Sequence, residues 1–113
     1  MALFPLDNTE VRDNFRYFTQ MQVRWNDLDA YRHVNNARYH TFFDSVIMHC
    51  LTHDGGFDLL DGPVVPFTVE NLCRFHRSLA FPDLVDAGLR VARLGTSSVR
   101  YELGLFRAGD PAV

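Results

Sequence analysis

Between Asp27 and Tyr39 the chain reads DLDAYRHVNNARY, which gathers two carboxylates, a histidine and two asparagines just ahead of an apolar stretch. A loop that enters a helix there carries backbone N–H groups with no intrahelical acceptor, and these can hold developing negative charge. A carboxylate beside them can attack a carbonyl or take a proton from water. Read singly, each residue has a plainer role: Asn35 or Asn36 can cap the helix, and an acid near its start offsets the dipole. Their clustering shifts the reading toward a site.

Other chemistries are poorly served. No G-x-S-x-G occurs, Ser45, Ser78, Ser97 and Ser98 sit in no nucleophile elbow, and neither Cys50 nor Cys73 has a base beside it in sequence. His49 and His53 have the i, i+4 spacing of helical zinc ligands, but Cys50 stands where H-E-x-x-H has glutamate. The expectation is no metal, with both histidines placed at a helix end that favours positive charge.

The elements that must position the polar stretch follow from periodicity. Phe15, Tyr17, Met21, Val23 and Trp25, with Thr19, alternate as one face of a strand. Tyr39, Phe42, Phe43, Val46, Ile47, Cys50 and Leu51 then recur at threes and fours, which predicts a helix from about Asn35 to about Thr52. Gly55 and Gly56 end it, and Gly62-Pro63 marks a further turn. Period two returns in Phe67, Val69, Cys73 and Phe75, in Val85, Ala87, Leu89 and Val91, and in Val99, Tyr101, Leu103 and Leu105. RLGTSS is the turn between the last two. One helix among several strands predicts an α+β fold, an antiparallel β-sheet wrapped around one long central helix.

A chain of 113 residues has room for one core, so residues 1–113 are read as a single domain. The formal charge of −3 argues against general capture of nucleic acid or anionic membrane, and no apolar run reaches the length of a membrane span. MALFPLDNTEVRD lacks the cationic start and long apolar stretch of a signal peptide, so a cytoplasmic protein with reduced thiols is expected.

The segment RWNDLDAYRHVNNARYHTFFD resembles the signature of the hotdog-fold acyl-CoA thioesterases, D-x-D-x-x-G-H-V-N-N-x-x-Y followed by an aromatic-rich helix. The resemblance continues through FHRSLAFPDLVDAGLRVARLGTSSVRYELGLF. It implies hydrolysis of an acyl- or aryl-CoA thioester to the acid and coenzyme A without metal or organic cofactor. Asp29 falls on the family carboxylate, as nucleophile or general base, and the N–H of Asn36 on the oxyanion donor. His33 joins them as a catalytic candidate. Asp27, one pleat away, is assigned a structural role.

Substrate contacts are expected at Asn35 and Tyr39 and, for the coenzyme A phosphates, at Arg93, Thr96, Ser97 and Ser98. Arg74, His76 and Arg77 are further candidates. The resemblance also implies a homodimer or homotetramer with each site between subunits. Arg32 stands where the family commonly has glycine, which implies strain if that position needs φ > 0. Two other functions compete: a non-catalytic acyl- or CoA-binding hotdog module, which has no need of Asp29, and a hydroxyacyl-thioester dehydratase, for which His33 would serve. Finally, after the turn from Gly109 to Pro111 only Ala112 and Val113 remain, whereas the resembled proteins continue into a strand inside the sheet. The expectation is a longer natural protein, or a strand supplied from elsewhere.

Overall fold

A computed structural model describes residues 11–56, 58, 61, 62 and 67–110. Three strands, β1 (Tyr17–Gln22), β2 (Leu84–Leu94) and β3 (Val99–Arg107), form an antiparallel sheet in the order β1-β2-β3. Among the described residues one α-helix, α1 (Asn36–His49), packs on it and runs on into a single wide turn at Cys50–Asp54. The architecture is the expected α+β arrangement. The Pro111-Ala112-Val113 end and Pro63 lie outside the described residues.

The helical stripe is the core. Tyr39, Phe42 and Val46 of α1 are buried with Val85, Ala87 and Leu89 of β2 and Leu105 of β3. Phe43, Ile47 and Cys50 pack at its margin, and both cysteines are free thiols. β2 and β3 join through a tight turn in which the Gly95 N–H donates to the Ser98 carbonyl at 2.8 Å. A register shift between Val91 and Arg93 marks a bulge in β2.

The far face of the sheet is built differently. Gly88 and Gly104 lie opposite each other in the β2–β3 ladder. Their missing side chains make room for the rings of Phe15, Phe18 and Phe106, which approach a hypothetical Cβ at either position to 2.9 Å. Phe15 meets Phe106 edge to face at 5.6 Å between ring centres. Arg12 and Arg90 lay their guanidinium groups over these rings.

Two expectations from the sequence are corrected. Trp25 does not extend the first strand: it opens a short 3-10 turn, Trp25–Asp27, and is 67% exposed. The turn forms because the Asp27 carboxylate takes the Arg24 N–H at 2.8 Å, turning the chain out of the sheet just past Val23. The strand predicted over Phe67–Phe75 does not form either. Among the described residues that segment has no ladder partner, and Phe67 and Val69 are 84% and 87% exposed. Alternation alone does not make a strand when no neighbour takes its backbone groups.

Candidate active site

The polar stretch folds as a closed loop between β1 and α1. Its neck is pinned three ways. Leu28 bridges Val34, the Asn35 N–H donates to the Asp27 carbonyl at 2.9 Å, and the Val34 N–H donates to the Leu79 carbonyl at 2.8 Å. Asp27 anchors this neck from inside. It has no solvent exposure, and besides the Arg24 N–H its carboxylate receives the Arg24 guanidinium at 3.0 Å. Burial pushes the Asp27 carboxyl up, but the hydrogen bonds and charge of Arg24, with the charge of Arg38, outweigh it and hold the group below the usual carboxylate range. The structural role expected of Asp27 is what the structure shows, through a turn rather than a pleat.

Asp29 sits at the head of the loop. Its backbone N–H donates to the His33 carbonyl at 2.9 Å, and its own carbonyl accepts from Arg32 at 3.0 Å. Oδ1 accepts the Tyr31 N–H at 2.9 Å and lies 3.4 Å from the His33 N–H, an Asx-type turn. Oδ2 has no partner among the described residues. One carboxylate oxygen is therefore held while the other is presented.

This turn closes through residue 32 in the left-handed region. Arg32 has φ 64° and is the one non-glycine residue with positive φ among those described. The family glycine is thus replaced at a position whose backbone does favour glycine, at a cost of roughly 1 to 2 kcal/mol for an L side chain.

The helix start lies next to it. Asn35 is the N-cap: its side-chain oxygen accepts the Ala37 N–H at 2.9 Å and its carbonyl the Arg38 N–H at 2.8 Å. Asn35, expected among the substrate contacts, commits its side-chain oxygen to the cap. Asn36, the first helical residue, keeps a backbone N–H without a partner among the described residues.

Asp29, His33, Asn36 and Tyr39 line one open cleft of ≈ 250 Å³. Its opposite wall is Phe75, His76, Arg77 and Ser78. The Tyr39 ring is buried and meets Phe75 edge to face at 5.0 Å. Burial pushes its phenol up, against the pull of a hydrogen bond from the Leu79 backbone, so it stays protonated at neutral pH. Arg77 points its charge to Asp110 at 2.9 Å. Of this wall, His76 and Arg77 were candidates from the sequence. Phe75 and Ser78 were missed, because their segment reads as a strand with a core face and a solvated face.

The hairpin residues expected to hold the coenzyme A phosphates lie apart from this cleft within one chain. Arg93, Thr96, Ser97 and Ser98 line a separate, larger cleft of ≈ 410 Å³ at the β2–β3 turn, which shares no residue with the first. It has cations and hydroxyls but neither carboxylate nor imidazole, so it can bind an anion but offers no acid–base group. The smaller cleft is the one lined by a carboxylate and imidazoles, those of Asp29, His33 and His76. His49, whose Nδ1 is hydrogen-bonded to the Tyr17 hydroxyl, and His53 stack at the far end of α1 with ring centres 4.2 Å apart. No three His, Cys, Asp or Glu among the described residues come together as a metal site.

Known proteins share this fold. A solved structure of the PA5185 protein of Pseudomonas aeruginosa strain PAO1 superposes with a TM-score of 0.88 at 42% identity, over 90% of this chain and 71% of that one. A thioesterase-superfamily structure from Jannaschia sp. CCS1 shares the fold at a TM-score of 0.73 and 24% identity, over 88% of this chain and 62% of that one. In sequence, the long-chain acyl-CoA thioesterase FadM of Escherichia coli K12 is 31% identical over 81 residues, 71% of this chain. The chain spans 61% of the length of that relative. The family model of the thioesterase superfamily matches residues 31–113, opening just past Asp29, so the place of Asp29 rests on the motif and on the loop geometry. With one long helix on an antiparallel sheet, the signature at the helix start and a family match over most of its length, this hotdog-fold chain belongs to the thioesterase superfamily.

Proposed function

We propose that the chain carries the hydrolytic site of an acyl-CoA thioesterase, with Asp29 as the reacting carboxylate and the Asn36 N–H as oxyanion donor. The observation that carries this is their convergence: an Asp29 carboxylate with Oδ2 unengaged and a helix-start N–H without a partner line the same cleft. A thioester carbonyl seated between them would be attacked on carbon while its oxygen gathers charge against the N–H. In one route Oδ2 attacks directly, the C–S bond breaks, coenzyme A leaves as thiolate and takes a proton, and water then splits the mixed anhydride. In the other, Oδ2 takes a proton from water as the water attacks and returns it to the departing thiolate. Both consume one water and release acid and coenzyme A. His33 lines the same cleft, and its imidazole would carry that proton.

The cationic and hydroxyl-rich hairpin cleft suits the coenzyme A phosphates, and since it is separate from the Asp29 cleft, the reading includes a homo-oligomer in which one copy's hairpin serves another's site. Among the described residues no helix is long and apolar enough to cross a membrane.

A panel of acyl- and aryl-CoA esters, followed by release of free thiol, tests the activity. Asp29→Asn keeps the shape and the Oδ1 acceptor but removes the charge, so kcat should fall by about a hundredfold to ten-thousandfold with the fold intact. Near wild-type turnover by the variant would sink the assignment. Binding of the esters with no hydrolysis by the wild type would instead favour a binding module.

A further inference from the structure

Arg32 is held in the left-handed region, φ 64°, where an L side chain crowds its own backbone and glycine does not. It is exposed, and its guanidinium has neither an ion-pair nor a hydrogen-bond partner among the described residues. The side chain therefore brings no packing or charge pairing to the fold that would offset the strain of its backbone. Strain kept at a turn without such a return points to contact with something outside the chain. The turn in question is the one that carries Asp29: the Arg32 N–H donates to the Asp29 carbonyl, and the flanking Tyr31 and His33 N–H groups face Asp29 Oδ1. Two nearby cations are already paired. Arg77, in the cleft wall, pairs with Asp110, and Arg24, at the neck, pairs with Asp27.

We propose that Arg32, in the turn that carries Asp29 and next in sequence to the cleft-lining His33, binds an anionic group of the substrate as a specificity-determining residue; this rests on the thioesterase reading of that cleft. A guanidinium takes a carboxylate or a phosphate through paired, charge-assisted hydrogen bonds. Either anion is chemically available on such a substrate: a carboxylate at the far end of the acyl group, or the phosphates of coenzyme A.

Thioether analogues, which cannot be hydrolysed, separate the sources. S-hexyl-coenzyme A carries the phosphates, S-(5-carboxypentyl)pantetheine carries the carboxylate, and S-hexylpantetheine carries neither. Calorimetric titration of the wild type, Arg32→Gly and Arg32→Lys reads the effect. Glycine suits the backbone, so loss of folding does not confuse the result. Arg32→Gly should weaken binding of one anionic analogue about tenfold, leave S-hexylpantetheine unaffected, and be partly rescued by Arg32→Lys. Which analogue suffers identifies the anion. Equal binding of all three by wild type and Arg32→Gly would overturn the proposal. So would an equal loss on the uncharged analogue, or no binding of any analogue by the wild type. The measurement does not depend on turnover. A selective loss in a chain that hydrolyses nothing would refute the thioesterase reading and leave anion binding standing, whereas hydrolysis without selective loss does the reverse.

Discussion

Replacing Asp27 with asparagine turns one oxygen into an amide nitrogen at a position with no solvent exposure. Oδ2 accepts the Arg24 backbone N–H at 2.8 Å and lies 3.4 Å from Arg24 Nε, while Oδ1 accepts Nη2 at 3.0 Å. Whichever way the amide is turned, an NH2 group meets a donor. Losing a charge-assisted hydrogen bond costs about 1.5 to 3 kcal/mol. The Arg24 side chain is more than half exposed, so water replaces part of its share and the lower half of that range applies, about 2 kcal/mol. Against a total of roughly 5 to 15 kcal/mol this is readily measured. With a urea dependence of about 1 to 3 kcal/mol per molar, the midpoint should drop by about 1 M. The pH dependence checks the cause. The folded carboxyl lies below its ordinary value of 3.8, held there by Arg24 and Arg38 against the opposing push of burial. Its contribution is therefore complete above that ordinary value and is lost as pH falls through the lower folded value. The gap between wild type and variant should be constant near neutrality and close in acid. Coincident urea curves at pH 7, or a gap that widens as pH falls, would refute the reasoning.

Gly104→Ala should destabilise by about 1 to 3 kcal/mol in the same urea assay, because its Cβ would stand 2.9 Å from both Phe106 Cε2 and Phe15 Cζ, rings whose residues are buried and have no room to retreat. A neutral result would mean that the aromatic cover over the paired glycines is loose. Arg93→Ala should raise KM for acyl-CoA more than it lowers kcat, and the wild-type KM should climb with ionic strength, since a net acidic chain must hold phosphates with local cations. A salt-independent KM that the substitution leaves unchanged would remove Arg93 from the phosphate contacts.

Period two located β1, β2 and β3 because each has one face packed on the core, half-buried in β1 and buried in parts of β2 and β3, and the threes and fours of Tyr39 to Cys50 located α1 for the same reason. Substitution at residue 32 was legible through the motif, since glycine there implies a backbone that the structure does adopt. What stayed hidden depends on partners distant in sequence. Phe15 alternates with Tyr17 on paper, yet β1 starts only at Tyr17, and the preceding turn carries Phe15 to the far face, over Gly88 and Gly104. Nothing in the local sequence says that two glycines in separate strands will face each other. The sequence offers both Asn35 and Asn36 as the cap, and one hydrogen bond decides between them: the Ala37 N–H donates to Asn35 Oδ1.

The cleft has two walls made by different means, and this bears on how it works. One wall is the loop from Asp27 to Asn36, in which backbone hydrogen bonds at the neck and head tie Asp29 to the helix start. Such a wall is preorganised: carboxylate and N–H are set before substrate arrives, which is what electrostatic stabilisation of an oxyanion requires. The other wall, Phe75 to Ser78, belongs to a segment with no ladder partner among the described residues, held beside the site by the Tyr39–Phe75 ring contact and the Arg77–Asp110 ion pair and tied by backbone only at its end, where the Val34 N–H donates to the Leu79 carbonyl. An exposed ion pair and a half-exposed ring resist displacement far less than a hydrogen-bonded loop does. On the proposed thioesterase reading, differences in acyl group are therefore more readily accommodated on the Phe75–Ser78 side, while the reacting geometry stays with the loop. Substitutions in Phe75, His76 or Ser78 should accordingly act on substrate preference, and those in the loop on the chemical step.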